Sequence, residues 1–188
     1  MEPVALRTAR LELSVPVEAD AAAIYEACQD PLIQRYTTVP SPYERGHAEE
    51  FIRRVATQWS EGVHLTWAVR EGETLVGTIG VYRIDGKGAG ELGYWVSPGS
   101  RRRGLLTEAA RAVIDWGFSD TGLRLRRLEW RAVVGNVASA RAAQALGFRY
   151  EGLLREGLAG NDHRDDGWIA GLLATDDRIP SPWPVLEA

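Results

Sequence analysis

Stretches of two-residue alternation and stretches of 3.6-residue periodicity follow one another along the whole chain. Residues 6–15 read as a first strand, with Leu11, Leu13 and Val15 set against Glu12 and Ser14, and Pro16 stopping it. Residues 18–29 read as a short alanine-rich helix with acids in its first turn, where the helix dipole favours them. Residues 30–43 carry three prolines and two tyrosines and read as a loop, either a binding wall or a packed connector. Residues 44–60 form a second helix with Phe51, Ile52, Val55 and Trp59 on its core face.

Strands at 64–70, 74–84 and from Glu91 to Val96 are separated by short turns, which predicts an antiparallel meander. A central helix follows Gly104 and runs to Phe118, with Leu106, Ala109, Ala110 and Val113 on one face. A strand at 126–133, a short helix at 136–146 capped by Gly147, and strands at 148–154 and 163–174 around a turn near Asn161 complete the pattern. This is an α+β fold: one mostly antiparallel sheet of six to seven strands with about four helices. Residues 1–175 read as one domain. Residues 176–188 are a tail, either part of that domain or disordered, with Trp183 as a candidate anchor onto the body.

Composition narrows the function. The chain has 188 residues, is 45% hydrophobic and carries a net charge of −4, which suits one domain with a substantial core. Its dense basic clusters are Arg101–Arg103 and Arg124, Arg126 and Arg127, too local for a nucleic-acid-binding face. No apolar run is long enough to span a bilayer, and the expectation is a cytoplasmic protein without a membrane partner. Cys28 stands alone and reads as a small buried residue. His47, His64 and His163 lack metal-ligand spacing, so no metal is expected.

The most informative stretch is 91–118. A strand ends at Pro98 and Gly99, a basic loop follows (Arg101, Arg102, Arg103, Gly104), and a helix begins with Leu105, Leu106 and Thr107. The first amides of a helix have no partner within it and sit at its positive end, so this arrangement can receive a phosphate. Gly104 lets the backbone approach an anion closely. The alternative is a solvated helix start. Neither a Walker loop nor a dinucleotide fingerprint is present.

Arg101-x-x-Gly104 after a strand and a proline, with Leu106-Thr107-Glu108-Ala109 opening the helix, resembles the acyl-coenzyme A loop of the GCN5-related N-acetyltransferases. Their ribosomal-protein N-terminal subgroup is the most similar. Leu6-Arg7-Thr8-Ala9-Arg10-Leu11 and Asn136-x-x-Ser139 followed by Leu146-Gly147-Phe148 extend the resemblance over most of the chain. Leu106 departs from the glycine or alanine of the family pattern, and Arg102 stands at a frequent glycine.

The resemblance implies a splayed sheet that binds acetyl-CoA, with pyrophosphate on the amides of Arg103 to Thr107 and Arg101 and Arg102 beside it. It implies a strand amide near Val96 on the thioester carbonyl and Asn136 and Ser139 along the pantetheine arm. The tyrosine that many members use as an acid is Ala143 here, and Ser139 maps onto the subgroup's alternative. The hairpin carboxylate of the subgroup falls on Leu158, which leaves Glu91 as the candidate base. Asn136 is equally an N-cap and Glu91 equally an ion-paired strand end. Tyr36, Glu91 and Asn161 are the expected acceptor contacts.

The implied reaction moves acetyl from acetyl-CoA to a primary amine. A protein or peptide N-terminal α-amine is the leading acceptor. A small amine (polyamine, drug or metabolite) and a non-catalytic acyl-CoA-binding role are the alternatives, and a monomer and a homodimer stay equally open.

Overall fold

A computed structural model describes residues 1–160 and 163–187, so the expectation placed on Asn161 lies outside the described residues. The chain opens with β1 (Leu6–Arg7) and β2 (Glu12–Ser14). A turn joins them, closed by the Thr8 amide on the Leu11 carbonyl at 2.9 Å. The single strand expected at 6–15 is therefore a small hairpin. A 3-10 turn leads into α1 (Ala21–Ala27).

The stretch expected to be a loop holds a helix, α2 (Pro31–Tyr36). The Asp30 carboxylate accepts from the Leu32 and Ile33 amides, and Pro31 occupies the first turn, where it gives up no bond. The long helix α3 (Arg45–Glu61) ends on Gly62 in the left-handed region. The meander β3 (Leu65–Glu71), β4 (Thr74–Tyr82) and β5 (Ala89–Val96) follows. Then come α4 (Leu105–Phe118), β6 (Arg127–Val133), α5 (Val137–Ala145), β7 (Arg149–Ala159) and β8 (Arg164–Leu173).

The eight strands form one sheet in the order β1-β2-β3-β4-β5-β6-β8-β7, antiparallel except for β5 against β6. The two strands of the opening hairpin explain why there are more than six or seven. Likewise α2 brings the α-helices among the described residues to five. Alternate residues of β5 serve opposite faces. Leu92 and Tyr94 join the larger core under α4 and α5, whereas Trp95 packs with Ile24, Cys28 and Ile33 under α1 and α2.

The tail is tied to the body. Trp183 is fully buried and donates its indole N–H to the Phe148 carbonyl at 3.1 Å. Its ring lies 5.5 Å from that of Trp130 and 5.7 Å from that of Tyr150. Gln144 of α5 holds the Ser181 carbonyl at 2.8 Å.

Candidate active site

The sheet forks between β5 and β6. Their pairing begins at Ala89 with Arg127 and stops at Glu91 with Glu129. Beyond that point β5 stays with β4 up to Val96, and β6 stays with β8 up to Val133. The Ser97 amide donates to the Val76 carbonyl, so odd-numbered residues here turn their amides toward β4. Leu92 spends its amide on the last β6 pairing, at Glu129, whereas Tyr94 and Val96 turn theirs into the fork, where no strand pairs with them among the described residues. Such donors are costly to leave unused, and the fork holds them ready for an acceptor.

Next to the fork lies the basic loop. Gly104 sits at φ +76°, Arg102 at φ +61°, and α4 starts immediately afterwards. The first amide of this turn to bond within the protein is that of Glu108, to the Gly104 carbonyl. The amides of Arg103, Gly104, Leu105, Leu106 and Thr107 donate to nothing among the described residues. Left-handed residues alternating with others around a helix start form a concave nest of N–H groups, which is an anion receptor.

The side chains play a different part from the one their charges suggest. Arg101 reaches back to Asp30 at 2.7 Å and to the Val96 carbonyl at 3.2 Å. Burial pushes the Asp30 carboxyl up, but hydrogen bonds from Arg101 and the Ile33 and Leu32 amides outweigh it and hold the group below the usual carboxylate range. Arg103 is paired with Glu71 at 2.6 Å, and Arg10 grips the Arg103 carbonyl at 3.2 Å. Arg10 is itself held by Glu108 at 2.6 Å, which also takes the Thr8 hydroxyl at 2.5 Å. These arginines fix the loop, while Arg102 keeps its charge free of any ion pair among the described residues. A groove of about 610 Å³ opens beside the nest, lined by Thr8, Arg10, Gly104, Thr107 and Arg111.

Farther along the fork, Asn136 caps α5: its side-chain oxygen accepts from the Ser139 amide at 3.3 Å. The half-buried Ser139 hydroxyl is 2.9 Å from the Tyr94 hydroxyl and accepts from the Trp130 indole at 3.1 Å. Sequence reasoning passed over Tyr94 and Trp130 because their spacing places them in the core. The signal that could have found them is that each carries a polar tip that must find a partner when buried.

Glu91 lies on the other face, at the root of the fork. It pairs with Arg83 at 2.6 Å and stands 3.6 Å from Arg131. Glu129, which bonds Arg131 and Arg127, continues the belt, and Arg127 reaches on to Glu151. Burial raises the Glu91 carboxyl above the ordinary range, with Arg83 and Arg131 pulling against it and Glu129 adding to it. Above this face α2 crosses the fork. Arg35 clasps Asp165 through two bonds of 2.9 Å, and the Tyr36 hydroxyl donates to the Gly135 carbonyl at 3.4 Å.

A fork with inward amides beside a nest of free N–H groups is the frame that the resemblance implies. Residues 10–149 match the acetyltransferase (GNAT) domain. The chain belongs to the GNAT acetyltransferase family. The uncharacterized N-acetyltransferase p20 of Bacillus licheniformis is 30% identical over 80% of this chain and 85% of its own. The ribosomal-protein-serine acetyltransferase of Escherichia coli is 32% identical over 50% of this chain and 52% of its own. Among solved structures, RimL, the ribosomal L7/L12 α-N-protein acetyltransferase, in complex with coenzyme A aligns with a TM-score of 0.80 at 17% identity, covering 90% of this chain and 98% of that one.

This GNAT protein is therefore an N-acetyltransferase that uses acetyl-CoA as its acetyl donor. The nest fits that donor. Its amides are unspent, and a Cβ on Gly104 would come no closer to a neighbour than 3.7 Å, so the concavity is open. Among the described residues no cluster of His, Cys, Asp or Glu is arranged to hold a metal ion, and no helix is long and apolar enough to cross a membrane.

Proposed function

We propose that this enzyme acetylates the α-amine of a protein or peptide N-terminus. The observation that carries this reading is the state of the carboxylates at the fork. Glu91 and Glu129 are both ion-paired with arginines. Burial pushes both carboxyls up; the arginines outweigh it at Glu129, holding that group below the ordinary carboxylate range, and oppose the rise at Glu91, and either group is still a far weaker base than an amine. A lysine-type amine, with a pKa near 10.4, would need a strong one. An α-amine with a pKa near 8 arrives appreciably neutral at pH 7 and needs only a weak base or a water relay.

Two further features support the reading. The sheet face bearing Arg127, Glu129 and Arg131 is partly exposed and meets an exposed Glu151, so it presents a broad surface rather than a closed small-molecule pocket. The similarity to the E. coli ribosomal-protein-serine acetyltransferase points to the same class of acceptor.

In this mechanism the nest of amides from Arg103 to Thr107, with Arg102 beside it, holds the pyrophosphate. The Val96 or Tyr94 amide polarises the thioester carbonyl, a contribution of a few kcal/mol for such donors. The amine comes in over the Glu91 face beneath Tyr36. Its attack forms the C–N bond, and the C–S electron pair leaves with sulfur. The proton shed by nitrogen passes to Glu91 or water and balances the thiol released. Ser139 donates a hydrogen bond to that sulfur as charge builds on it, and Asn136 fixes the helix start that carries Ser139.

Thiol release from acetyl-CoA with short peptides of differing N-terminal residue, their N-blocked counterparts, free lysine and polyamines tests the reading. Turnover with free-N-terminal peptides that blocking abolishes is the expected result. Turnover confined to polyamines or lysine side chains would overturn it in favour of a small-amine acetyltransferase.

A further inference from the structure

The part-buried polar cluster at the inner side of the fork has three members from three elements: Tyr94 of β5, Trp130 of β6 and Ser139 of α5. The indole N–H of Trp130 lies 3.1 Å from the Ser139 oxygen and 3.2 Å from the Tyr94 oxygen. An indole N–H can only donate. The Tyr94 hydroxyl is 2.9 Å from the Ser139 hydroxyl and 3.3 Å from the Ser139 carbonyl. Either oxygen can donate in the short contact; a phenol is a more acidic donor than an aliphatic hydroxyl and a poorer acceptor, which favours the direction from Tyr94 to Ser139. Burial, the largest influence on it, raises the Tyr94 phenol, and the group keeps its proton.

With that direction the serine oxygen accepts twice, its own proton has no further acceptor among the described residues, and the residue is only partly buried. Trp130 is fixed from behind, since Trp183 of the tail packs on it.

We infer that Tyr94 and Trp130 are positioning residues that force the Ser139 hydroxyl to act as a donor into the fork, aimed at the sulfur of the departing thiol. An isolated serine hydroxyl rotates freely between donor and acceptor roles. Two donors directed at its oxygen remove that freedom and strengthen the outgoing bond through cooperative polarisation. No charged side chain takes part, so the cluster stabilises negative charge on sulfur without a competing cation. The inference rests on the Ser139 role given above, but not on which amine is acetylated.

The test therefore uses binding rather than turnover. Affinities for coenzyme A and for its desulfo analogue, which lacks only the sulfur, are compared by calorimetry between about pH 6 and 9, a range that brackets an ordinary thiol pKa of about 8.5. The wild-type preference for coenzyme A is expected to grow about tenfold with rising pH as the bound thiolate is stabilised. Ser139→Ala should abolish that growth and Tyr94→Phe should reduce it to about threefold. The double variant should match Ser139→Ala alone, and Ser139→Thr, which keeps the hydroxyl, should retain most of the effect.

Desulfo-coenzyme A affinity should be equal in all of these, which also shows that each variant is folded. A pH-dependent preference in Tyr94→Phe equal to that of wild type would overturn the inference. So would additive losses in the double variant. Failure of the peptide panel would leave these measurements unaffected, so the two readings fall separately.

Discussion

The two faces of the fork are built on different principles. On the inner face, under α4 and α5, the proposed site groups are backbone amides and neutral polar side chains held by a dense core: the nest from Arg103 to Thr107 and the Tyr94, Trp130 and Ser139 cluster. On the outer face the groups are long charged side chains in an open belt, Arg83, Glu91, Arg131, Glu129, Arg127 and Glu151. Backbone donors cannot change identity by substitution and cost no side-chain entropy to hold. They suit a donor molecule that is the same in every turnover. Charged side chains half open to water are individually worth little and easily rearranged. They suit an acceptor that differs from one enzyme to the next.

The sharpest way to break that contrast is to empty the support behind the inner face. Trp183→Ala removes a fully buried indole at the back of Trp130 and is expected to cost about 3–5 kcal/mol of stability, measured by denaturant unfolding. A loss below about 1 kcal/mol would mean that the tail merely rests on the body.

Gly104→Glu comes next. It places a side chain at φ +76°, a region that strains any L-residue by about 1–3 kcal/mol, and sets a carboxylate in the anion nest. Coenzyme A affinity should fall at least about 100-fold with the circular dichroism spectrum unchanged. Affinity within threefold of wild type would remove the nest as the phosphate site.

The outer face should respond more mildly and in a different parameter. Arg35→Ala unfastens α2 from Asp165 and is expected to raise the KM of a peptide acceptor about tenfold while leaving coenzyme A affinity alone. An equal loss in both would show that the faces are not independent.

The smallest effect concerns pH. Burial disfavours the charged form of Glu91 and raises its pKa in the folded state. Unfolding is therefore favoured increasingly as pH climbs from the ordinary glutamate value of about 4.3 through that raised value. Glu91→Gln should flatten this acid-side slope in stability. It should also remove the matching ascending limb of kcat/KM against pH if Glu91 receives the proton, so a limb that persists in the variant would assign it to another group.

How far the site could be read in advance follows the same division. The nest was legible because its signal is local: a strand, a proline, Arg101-x-x-Gly104 and a helix start within a few residues. Asn136 as a helix cap is legible on the same grounds. The part assigned to the loop arginines was harder to foresee. Arg101 and Arg103 spend their charge on Asp30 and Glu71, residues far away in the chain, and steady the loop instead of reaching outward. The helix α2 was missed although Asp30-Pro31 is a good local start signal, because the two later prolines and the tyrosines weighed toward a loop. The hairpin at the chain's beginning was missed because one alternation pattern spans both of its strands.

The sequence by itself determined the order of the strands and helices from the second helix onward, the family and the glycine-bearing helix start, since each depends on periodicity or on residues within one turn of one another. Only the tertiary structure decided where β5 and β6 part, that Tyr94 and Trp130 meet over Ser139, and that Glu91 sits between two arginines. Those features bring together residues of different elements, such as Tyr94 with Ser139 and Glu91 with Arg131, that lie dozens of positions apart. Their pairing is set by strand register and core packing, which no local pattern encodes.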